Sequence, residues 1–308
     1  MNKHITYTVT PQEDGWPLEK VLREKLSLSA GQIRGVKFMP SGMLVNQQTF
    51  LRGRPVTTRF VLQSGDRIDL NFTDQGPSVL PAAGPLSILW ESEDLLFVNK
   101  EAGLAVHPAH GHYTDTLVNR LAARYSEPVR LIGRLDKNTS GVLAVARNTL
   151  AATRLEHQRD EGILKRYYLA LAAGTMTGTG LIDLPLLETS DGTPVGENGH
   201  ALRLMKADPA GRSAATEYEV LEAHEDFSLL KIHLLTGRTH QIRAHLAALG
   251  HPLLGDDLYQ EFCGILPVQA APRTMLHSHE IQCLHPFTGE ALCVNAPLPK
   301  DFRQLLNQ

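Results

Sequence analysis

Cysteine is scarce in this 308-residue chain. The cysteines are odd in number and none stands in a C-x-x-C pair: Cys263, Cys283 and Cys293. An odd count without paired spacing indicates neither a disulfide framework nor a thiolate zinc site. We therefore expect a reducing, cytoplasmic setting.

Long apolar runs are also absent. No stretch approaches the roughly 18 consecutive apolar residues of a membrane span, and residues 1–15 lack the apolar core of a signal peptide. Hydrophobic residues make up 42% of the chain and charged residues 20%, a balance typical of a folded, soluble protein. The length is sufficient for two domains of ordinary size.

Several catalytic signatures are missing as well. The sequence contains no Walker motif, dinucleotide-binding glycine pattern, G-x-S-x-G elbow or H-E-x-x-H zinc motif. Their absence argues against phosphoryl transfer, hydride transfer and serine-hydrolase chemistry. The histidines of HPAHGH (107–112) lack the carboxylate spacing of a zinc hydrolase. We expect neither a metal nor a cofactor.

The net charge of −3 hides an uneven distribution along the chain. Residues 16–70 contain nine basic and four acidic residues, a local net charge of +5, which leaves −8 for the remainder. Such asymmetry indicates a nucleic-acid partner, although a merely solvated basic face would have the same composition. The candidate RNA-contacting side chains are Lys20, Arg23, Arg34 and Lys37.

The segment TDQGPSVLPAAGP (73–85), with three prolines and two glycines, predicts a linker between residues 1–72 and 86–308. Upstream, helical spacing in WPLEKVLREKL and a Ser29 cap before GQIRGVKF predict two helices. Strand-like runs follow in MLVNQQTF, PVTTRFVL and DRIDLNF, with a hairpin signal at Ser64–Asp66. This order resembles the RNA-binding module of the ribosomal-protein S-four type, although Gln47 replaces the glycine of its V-N-G strand.

Residues 86–308 predict an α+β domain in which strands dominate. Two strands around an acidic turn are expected in SILWESEDLLFVNK, a buried strand in GVLAVA, a strand in RYYLALAAG, and a hairpin around His224–Phe227. Helices are expected from Thr114 to Arg124, after an Asn148 cap, and in THQIRAHLAALG. In the last helix, Ile242, Leu246 and Leu249 should share one side, with Gly250 as its stop.

One short polar turn, GRLDKNTSG (133–141), carries a single carboxylate, Asp136. An aspartate followed by Asn, Thr, Ser and Gly is usually a turn residue. Arg134 lies two positions earlier, however, and in an extended segment this spacing puts both side chains on one face. A nearby cation favours the ionised carboxylate, which would suit a nucleophile. The local sequence leaves both interpretations open.

Five ordered motifs over about residues 88–300 resemble those of the RluA-type pseudouridine synthases. They are NKEAGLAVHP with TLVNRL, GRLDKNTSG, RYYLALAAG, LTGRTHQIRAHLAALGHPLLGDDLY, and LHSHEIQCLHPFTGE with APLP. The resemblance implies that family's fold, a mixed and mainly antiparallel sheet with a central cleft. It also implies isomerisation of uridine in RNA, which detaches uracil nitrogen 1 from ribose and reattaches the base through carbon 5.

The resemblance also implies roles for single residues. Asp136 would be the nucleophile, or the base of a glycal route, and Arg134 would take the place of the flipped uridine. Tyr168 would pack against uracil and assist proton movement, and Arg243 would pair with Asp136. Arg238 and His240 would shape the cleft wall or contact phosphate.

The sequence departs from the family pattern at Gly133, where the family usually has histidine. This change puts substrate preference in doubt, but not the presence of the aspartate. We expect a monomeric isomerase acting on structured ribosomal or transfer RNA. Two alternatives remain open: a non-catalytic RNA-binding protein that retains the fold, and a nucleoside hydrolase that uses Asp136.

Overall fold

A computed structural model describes most of the chain, namely residues 2–38, 42–73, 79–108, 114–125, 128–189, 204–263 and 271–307. The predicted linker therefore lies partly outside the described residues, at 74–78, as do positions 109–112 of the histidine-rich run. Residues 79–85 contain no helix or strand.

The helices of the described residues are α1 (Leu18–Glu24), α2 (Ala30–Phe38), α3 (Leu117–Arg124), α4 (Thr149–Asp160), α5 (Gln241–Ala248), α6 (Asp257–Cys263) and α7 (Lys300–Leu306). The strands are β1 (Asn2–Thr8), β2 (Met43–Val45), β3 (Phe50–Leu51), β4 (Arg54–Pro55), β5 (Arg67–Thr73), β6 (Ser87–Glu91), β7 (Leu95–Lys100), β8 (Arg130–Leu131), β9 (Ser140–Ala146), β10 (Lys165–Ala173), β11 (Thr179–Asp183), β12 (Leu186–Thr189), β13 (Leu204–Ala207), β14 (Ala215–Ala223), β15 (Phe227–Leu234), β16 (Leu276–Leu284) and β17 (Ala291–Asn295).

A three-stranded antiparallel sheet in the order β1-β5-β2 packs with α1 and α2 near the N-terminus. Ser29 accepts a hydrogen bond from the Gln32 amide at 3.3 Å, which confirms it as a cap. The Gln32 side chain also donates to Thr153 Oγ1 of α4 at 2.8 Å, and Leu150 of α4 joins the same apolar cluster. The N-terminal unit is thus packed against α4.

The prediction of a strand over PVTTRFVL is wrong for most of its length, because backbone carbonyls of this segment accept hydrogen bonds from the start of α1 instead. The Phe60 and Thr58 carbonyls accept hydrogen bonds from the Leu18 and Glu19 amides, both at 2.8 Å. These amides lie in the first turn of α1, where no intrahelical acceptor exists. The turn at Ser64–Gly65 is present, but the strand after it, β5, pairs with β1 and β2, so the predicted hairpin is wrong.

The second sheet has ten strands, with the main path β11-β14-β15-β10-β16-β9-β7-β6; β17 pairs with β16, and β8 with β9. All its ladders are antiparallel except that between β9 and β16. The hairpins β6–β7 and β14–β15 confirm the predicted strand pairs. The sheet is therefore mixed and mainly antiparallel, in an α+β fold.

Both faces of the sheet centre are buried, which explains the continuous apolar run in β9. Leu143 and Val145 join a cluster with Leu246 of α5, whereas Val142 and Ala144 pack with residues that include Leu155 of α4. Alternate side chains of a strand point to opposite faces, so a strand covered on both sides is apolar throughout. Every residue of β9 is buried.

The parallel contact between β9 and β16 explains the glycine of the NTSG turn. Gly141 pairs with Ser278 and has a φ of +113°. A Cβ atom at this position would collide with the Ser278 backbone. Only glycine allows both this conformation and this approach, which fixes the start of β9 beside β16.

The structure confirms the helix of the THQIRAHLAALG segment, with one difference in its apolar side. Ile242 and Leu246 are buried, but Leu249 is 42% exposed. The reason is that α5 ends at Ala248, and Gly250, with a φ of +80°, then reverses the chain. No helix of the described residues is long and apolar enough to cross a membrane.

Candidate active site

Asp136 lies in the extended segment and turn that precede β9, on the face predicted from its spacing. Leu135 is buried, whereas Arg134 and Asp136 on either side of it both line the same cavities. The Asp136 side chain is 25% exposed. Its backbone carbonyl accepts from the Thr139 amide at 3.1 Å, so the aspartate both starts a turn and faces a cleft.

Two buried cations hold the carbonyl groups of this turn. Lys100, at the end of β7 and only 1% exposed, donates from Nζ to the Lys137 carbonyl at 2.9 Å. The same amine donates to the Glu101 and Leu104 carbonyls, each also at 2.9 Å. Burial lowers the pKa of Lys100 to about 7, an effect that the nearby Asp136 charge opposes.

Arg273 supports the other half of the turn. It donates from Nη1 to the Asn138 carbonyl at 3.0 Å and from Nη2 to Ser140 Oγ at 3.1 Å. Its own charge is balanced by Asp301 of α7, with Nε at 2.6 Å from Oδ2. The position of Asp136 therefore depends on contacts from β7 and from the segment before β16.

Arg243, on α5, reaches Asp136 with an Nη1–Oδ2 distance of 3.4 Å. Its tighter partner is Asp256, which accepts from Nε at 2.6 Å and from Nη2 at 2.8 Å. Burial opposes the charge of the guanidinium, but the hydrogen bonds to Asp256 raise the pKa of Arg243 above its ordinary value. Arg243 is thus a fixed cation that faces Asp136 with its remaining nitrogen.

Tyr168, on β10, lines the cleft together with Asp136. Strand order places the two residues on opposite sides of β16, because β10 and β9 both pair with it around Ser278. Burial raises the pKa of Tyr168, whereas the Arg166 charge and a hydrogen bond with Ser278 oppose this effect. The hydroxyl therefore keeps its proton at neutral pH.

His240 and Arg238 come from the loop that leads into α5. His240 Nε2 lies 3.9 Å from Asp136 Oδ2. Burial, followed by the Arg243 charge, lowers the pKa of His240, although Asp136 opposes this. Arg238 Nε donates to the Ser213 carbonyl at 2.9 Å. Buried Gln241 fixes this loop, since its Oε1 accepts from the Arg238 amide at 2.9 Å.

The cleft widens beside Asp136 into a cavity of about 570 Å³ whose wall includes Arg134, Arg166 and Arg238. A second cavity of about 450 Å³ lies along the segments 105–108 and 134–139. Arg134 is exposed and donates to Thr239 Oγ1 at 3.2 Å. Six predicted residues thus meet at one cleft: Arg134, Asp136, Tyr168, Arg238, His240 and Arg243.

The four basic residues of the N-terminal helices lie elsewhere. Lys20, Arg23, Arg34 and Lys37 are all exposed, and none lines these cavities. Lys20 Nζ stands 3.7 Å from the centre of the Trp16 ring, and Arg23 pairs with Glu19 at 2.9 Å. The structure therefore separates a basic surface on α1 and α2 from the cleft around Asp136.

Among the described residues that line the cleft, the acidic ones are Asp136 and Asp160. Asp256 is buried and fully engaged by Arg243, and Asp160, on the wall, pairs with Arg159 at 3.1 Å. In the described residues, no group of three or more His, Cys, Asp and Glu side chains could hold a metal ion. The geometry suits a reaction at the Asp136 carboxylate, with the Tyr168 hydroxyl lining the same cleft.

Comparison with known proteins identifies the class to which this fold and cleft belong. Residues 94–248 match the family model described as RNA pseudouridylate synthase. The chain is 35% identical over 308 residues to an uncharacterized RNA pseudouridine synthase of Bacillus subtilis, YhcT, covering 96% of this chain and 94% of the relative. It is 36% identical over 249 residues to ribosomal large subunit pseudouridine synthase D of Nitrosomonas europaea, covering 78% and 70% respectively.

Solved structures agree with this assignment. The chain resembles human RNA pseudouridylate synthase domain containing 4 with a TM-score of 0.56 and 26% identity, over 72% of this chain and 92% of that one. For human RNA pseudouridylate synthase domain containing 1 the TM-score is 0.54 and the identity 29%, over 73% and 87%. The chain belongs to the RluA-type RNA pseudouridine synthases, and it is an isomerase that acts on RNA.

Three residues beside the cleft were missed in the sequence. Asp256 lies in a GDD triplet after α5, but only the fold brings it to Arg243. Lys100 follows a buried strand, a position at which a lysine normally reaches solvent. Arg166 precedes Tyr168 by two residues on β10, and this spacing could have placed it on the same face.

Proposed function

We propose that this protein converts a uridine of ribosomal RNA to pseudouridine, with Asp136 as the reacting group. The observation that carries the proposal is the placement of Asp136, partly exposed in the cleft, 3.4 Å from Arg243 and on the same wall as Tyr168. The choice of ribosomal RNA is supported by relatives named ribosomal large subunit pseudouridine synthase D.

The reaction breaks two bonds and forms two. The C1′–N1 bond of uridine breaks, the base turns, and C1′ joins C5, while C5 loses a proton and N1 gains one. Asp136 attacks C1′ or removes a proton from the ribose in a glycal route. Arg243 holds a positive charge 3.4 Å from the carboxylate, and the Tyr168 hydroxyl takes part in proton transfer at the uracil ring.

The uridine must leave its stack to reach Asp136, because a paired or stacked base hides its sugar. Extrusion costs on the order of a few kcal/mol, which Arg134 offsets by filling the vacated place. Its exposure beside Asp136 supports this role. Arg238 and His240 form the cleft wall, and Lys20, Arg23, Arg34 and Lys37 bind phosphates of the same RNA from the N-terminal module of residues 1–72.

All the proposed active-site residues come from one chain, so a monomer is sufficient; light scattering tests this state.

Modification of ribosomal RNA would take place in the cytoplasm. The residues 86–308 form the proposed catalytic domain, and 73–85 the linker.

Chemical mapping of pseudouridine in total RNA from cells with and without the protein tests the function. We expect at least one ribosomal uridine to lose its modification, and Asp136→Asn to fail to restore it. The matched control is Asp160→Asn, which removes a carboxylate of the same cavity that is paired with Arg159 and should restore it. Loss of a modified site in transfer RNA would identify transfer RNA, not ribosomal RNA, as the substrate. Restoration of the modification by Asp136→Asn would refute the role of Asp136.

A further inference from the structure

Arg166 lies in the wide part of the cleft, with its guanidinium beside two glycines. A Cβ atom at Gly237 would stand 3.1 Å from Arg166 Nη2, and one at Gly133 would stand 3.5 Å from Nη1. Gly133 also has a φ of +91°, a conformation that side chains rarely adopt. The residue that replaces the family histidine therefore borders the Arg166 guanidinium.

The donors of Arg166 are largely unused within the described residues. Its Nε is buried and has no hydrogen-bond partner there. The hydrogen bond from Nη2 to the Thr236 carbonyl is 3.5 Å long, at the far limit for such a bond. A buried donor without an acceptor is unfavourable, so this guanidinium is suited to an acceptor that arrives with the substrate.

The other charges of the cavity indicate what that acceptor is. Arg159 is already paired with Asp160, whereas Arg134, Arg166 and Arg238 surround the single reacting carboxylate, Asp136. This excess of cations favours an anion. A guanidinium presents parallel N–H groups that match two oxygens of a phosphate.

The position of Arg166 relates that anion to the reacting nucleotide. Arg166 and Tyr168 both line the cavity beside Asp136, although the pairing of β10 with β16 shifts register between Tyr167 and Tyr168. Arg166 thus neighbours Tyr168, and its charge acts on the tyrosine hydroxyl. The backbone phosphate of a nucleotide whose base lay against Tyr168 would therefore be close to Arg166 in this cavity.

We propose that Arg166 binds a backbone phosphate of the target uridine, in the space left by Gly133 and Gly237, and so positions the ribose over Asp136. This site deepens the proposed function and rests on it. Arg166 would be a binding residue whose loss weakens the placement of the nucleotide without removing the reacting carboxylate.

The test uses the full-length protein and a synthetic RNA stem-loop around the uridine that the mapping identifies. In separate RNAs, the phosphate on the 5′ or the 3′ side of that uridine is replaced by an uncharged methylphosphonate. Single-turnover rates are measured for the wild type, for Arg166→Gln, and for Arg159→Gln as the matched control, since Arg159 already has an acidic partner.

We expect Arg166→Gln to lower the single-turnover rate by about tenfold to a hundredfold on unmodified RNA, the size of a lost charge-assisted hydrogen bond. Arg159→Gln should change it less than about threefold. One of the two methylphosphonates should slow the wild type by the same factor as Arg166→Gln, and should slow Arg166→Gln no further.

The proposal would be overturned if Arg166→Gln and each methylphosphonate slowed the reaction independently, so that their effects on the rate multiply when they are combined. The wild type with substituted RNA involves no change in the protein, so unfolding of Arg166→Gln would not hide the answer: full activity on both methylphosphonates also overturns it. A wild type that forms no pseudouridine in any RNA would instead refute the proposed function itself.

Discussion

At the scale of single residues, Asp256 determines how Arg243 meets Asp136. Asp256 is 1% exposed and accepts two hydrogen bonds from the guanidinium. Only Nη1 remains directed at Asp136, at 3.4 Å. The close pair with Asp256 fixes the Arg243 guanidinium. The longer contact from Nη1 leaves the Asp136 carboxylate partly exposed in the cleft.

We expect Asp256→Asn to lower the free energy of unfolding by about 3 kcal/mol or more, because it leaves a buried guanidinium without its counter-charge. Urea denaturation measures this change. The control is Asp257→Asn, the same substitution at the exposed next position, where the loss should stay below about 1 kcal/mol. Equal effects of the two substitutions would show that the Asp256 pair is unimportant for stability.

The sequence was sufficient to predict the meeting of Asp136, Tyr168 and Arg243, because their motifs follow the order of a known family. It was insufficient for Asp256, Lys100 and Arg166. The partners of Asp256 and Lys100 are side chains or backbone carbonyls that only the folded sheet brings near. For Arg166, the two-residue spacing from Tyr168 indicates at most a shared face.

At the scale of elements, the turn before β9 is held from two sides. Lys100 at the end of β7 binds the Lys137 carbonyl, and Arg273 binds the Asn138 carbonyl. Both contacts act on the backbone directly after Asp136. A shift of about 1 Å in a reacting group can cost about a hundredfold in rate, so this anchoring has a kinetic consequence.

We expect Lys100→Met to lower kcat by about tenfold or more while leaving KM nearly unchanged, because the turn loosens but the RNA contacts remain. The assay is run below pH 7, where Lys100 keeps its third proton. Lys300→Met, an exposed position on α7, serves as the control and should match the wild type. An unaltered kcat in Lys100→Met would show that the turn holds its position without this amine.

The elements also show where local patterns fail. β9, β10 and the two hairpins could be predicted because apolar runs and turn residues are local features of the sequence. The segment after Pro55 has strand-like residues, yet its carbonyls cap α1. The amide groups at the start of α1, elsewhere in the chain, need these carbonyls as hydrogen-bond acceptors. A pattern read within a short stretch of sequence does not show such a requirement.

At the scale of the whole molecule, His277 links the segment after Asp136 to the last helix. Its Nδ1 contacts Ser140 Oγ at 2.9 Å, and its ring packs near Phe302 of α7. Burial lowers the pKa of His277 to about 4, and the His279 and Arg273 charges add to this while Asp301 opposes it. The folded protein therefore keeps this imidazole neutral under conditions in which the unfolded chain protonates it.

Between pH 6.5 and 4 the unfolded chain binds more protons at His277 than the folded protein does. The free energy of unfolding should therefore fall as the pH falls through this window, by up to about 3 kcal/mol. Denaturation at several pH values measures the slope. His277→Gln should flatten it, whereas His157→Gln, at a side chain that is 54% exposed, should not; an unchanged slope in His277→Gln would assign the effect to other groups.

The exposed basic residues of α2 allow RNA binding to be tested separately from catalysis. Arg34 and Lys37 are exposed on α2, outside the cleft, so their loss should weaken binding without affecting Asp136. Each phosphate contact contributes about 0.7 to 0.9 to the slope of log affinity against log salt. Replacing both residues by glutamine should therefore reduce that slope by about 1.5, with an unchanged single-turnover rate at saturating protein. The control replaces exposed Lys300 and Arg303 of α7 by glutamine, which alters the net charge equally; if both pairs reduce the slope alike, the basic N-terminal surface contributes only general attraction and no specific phosphate contacts.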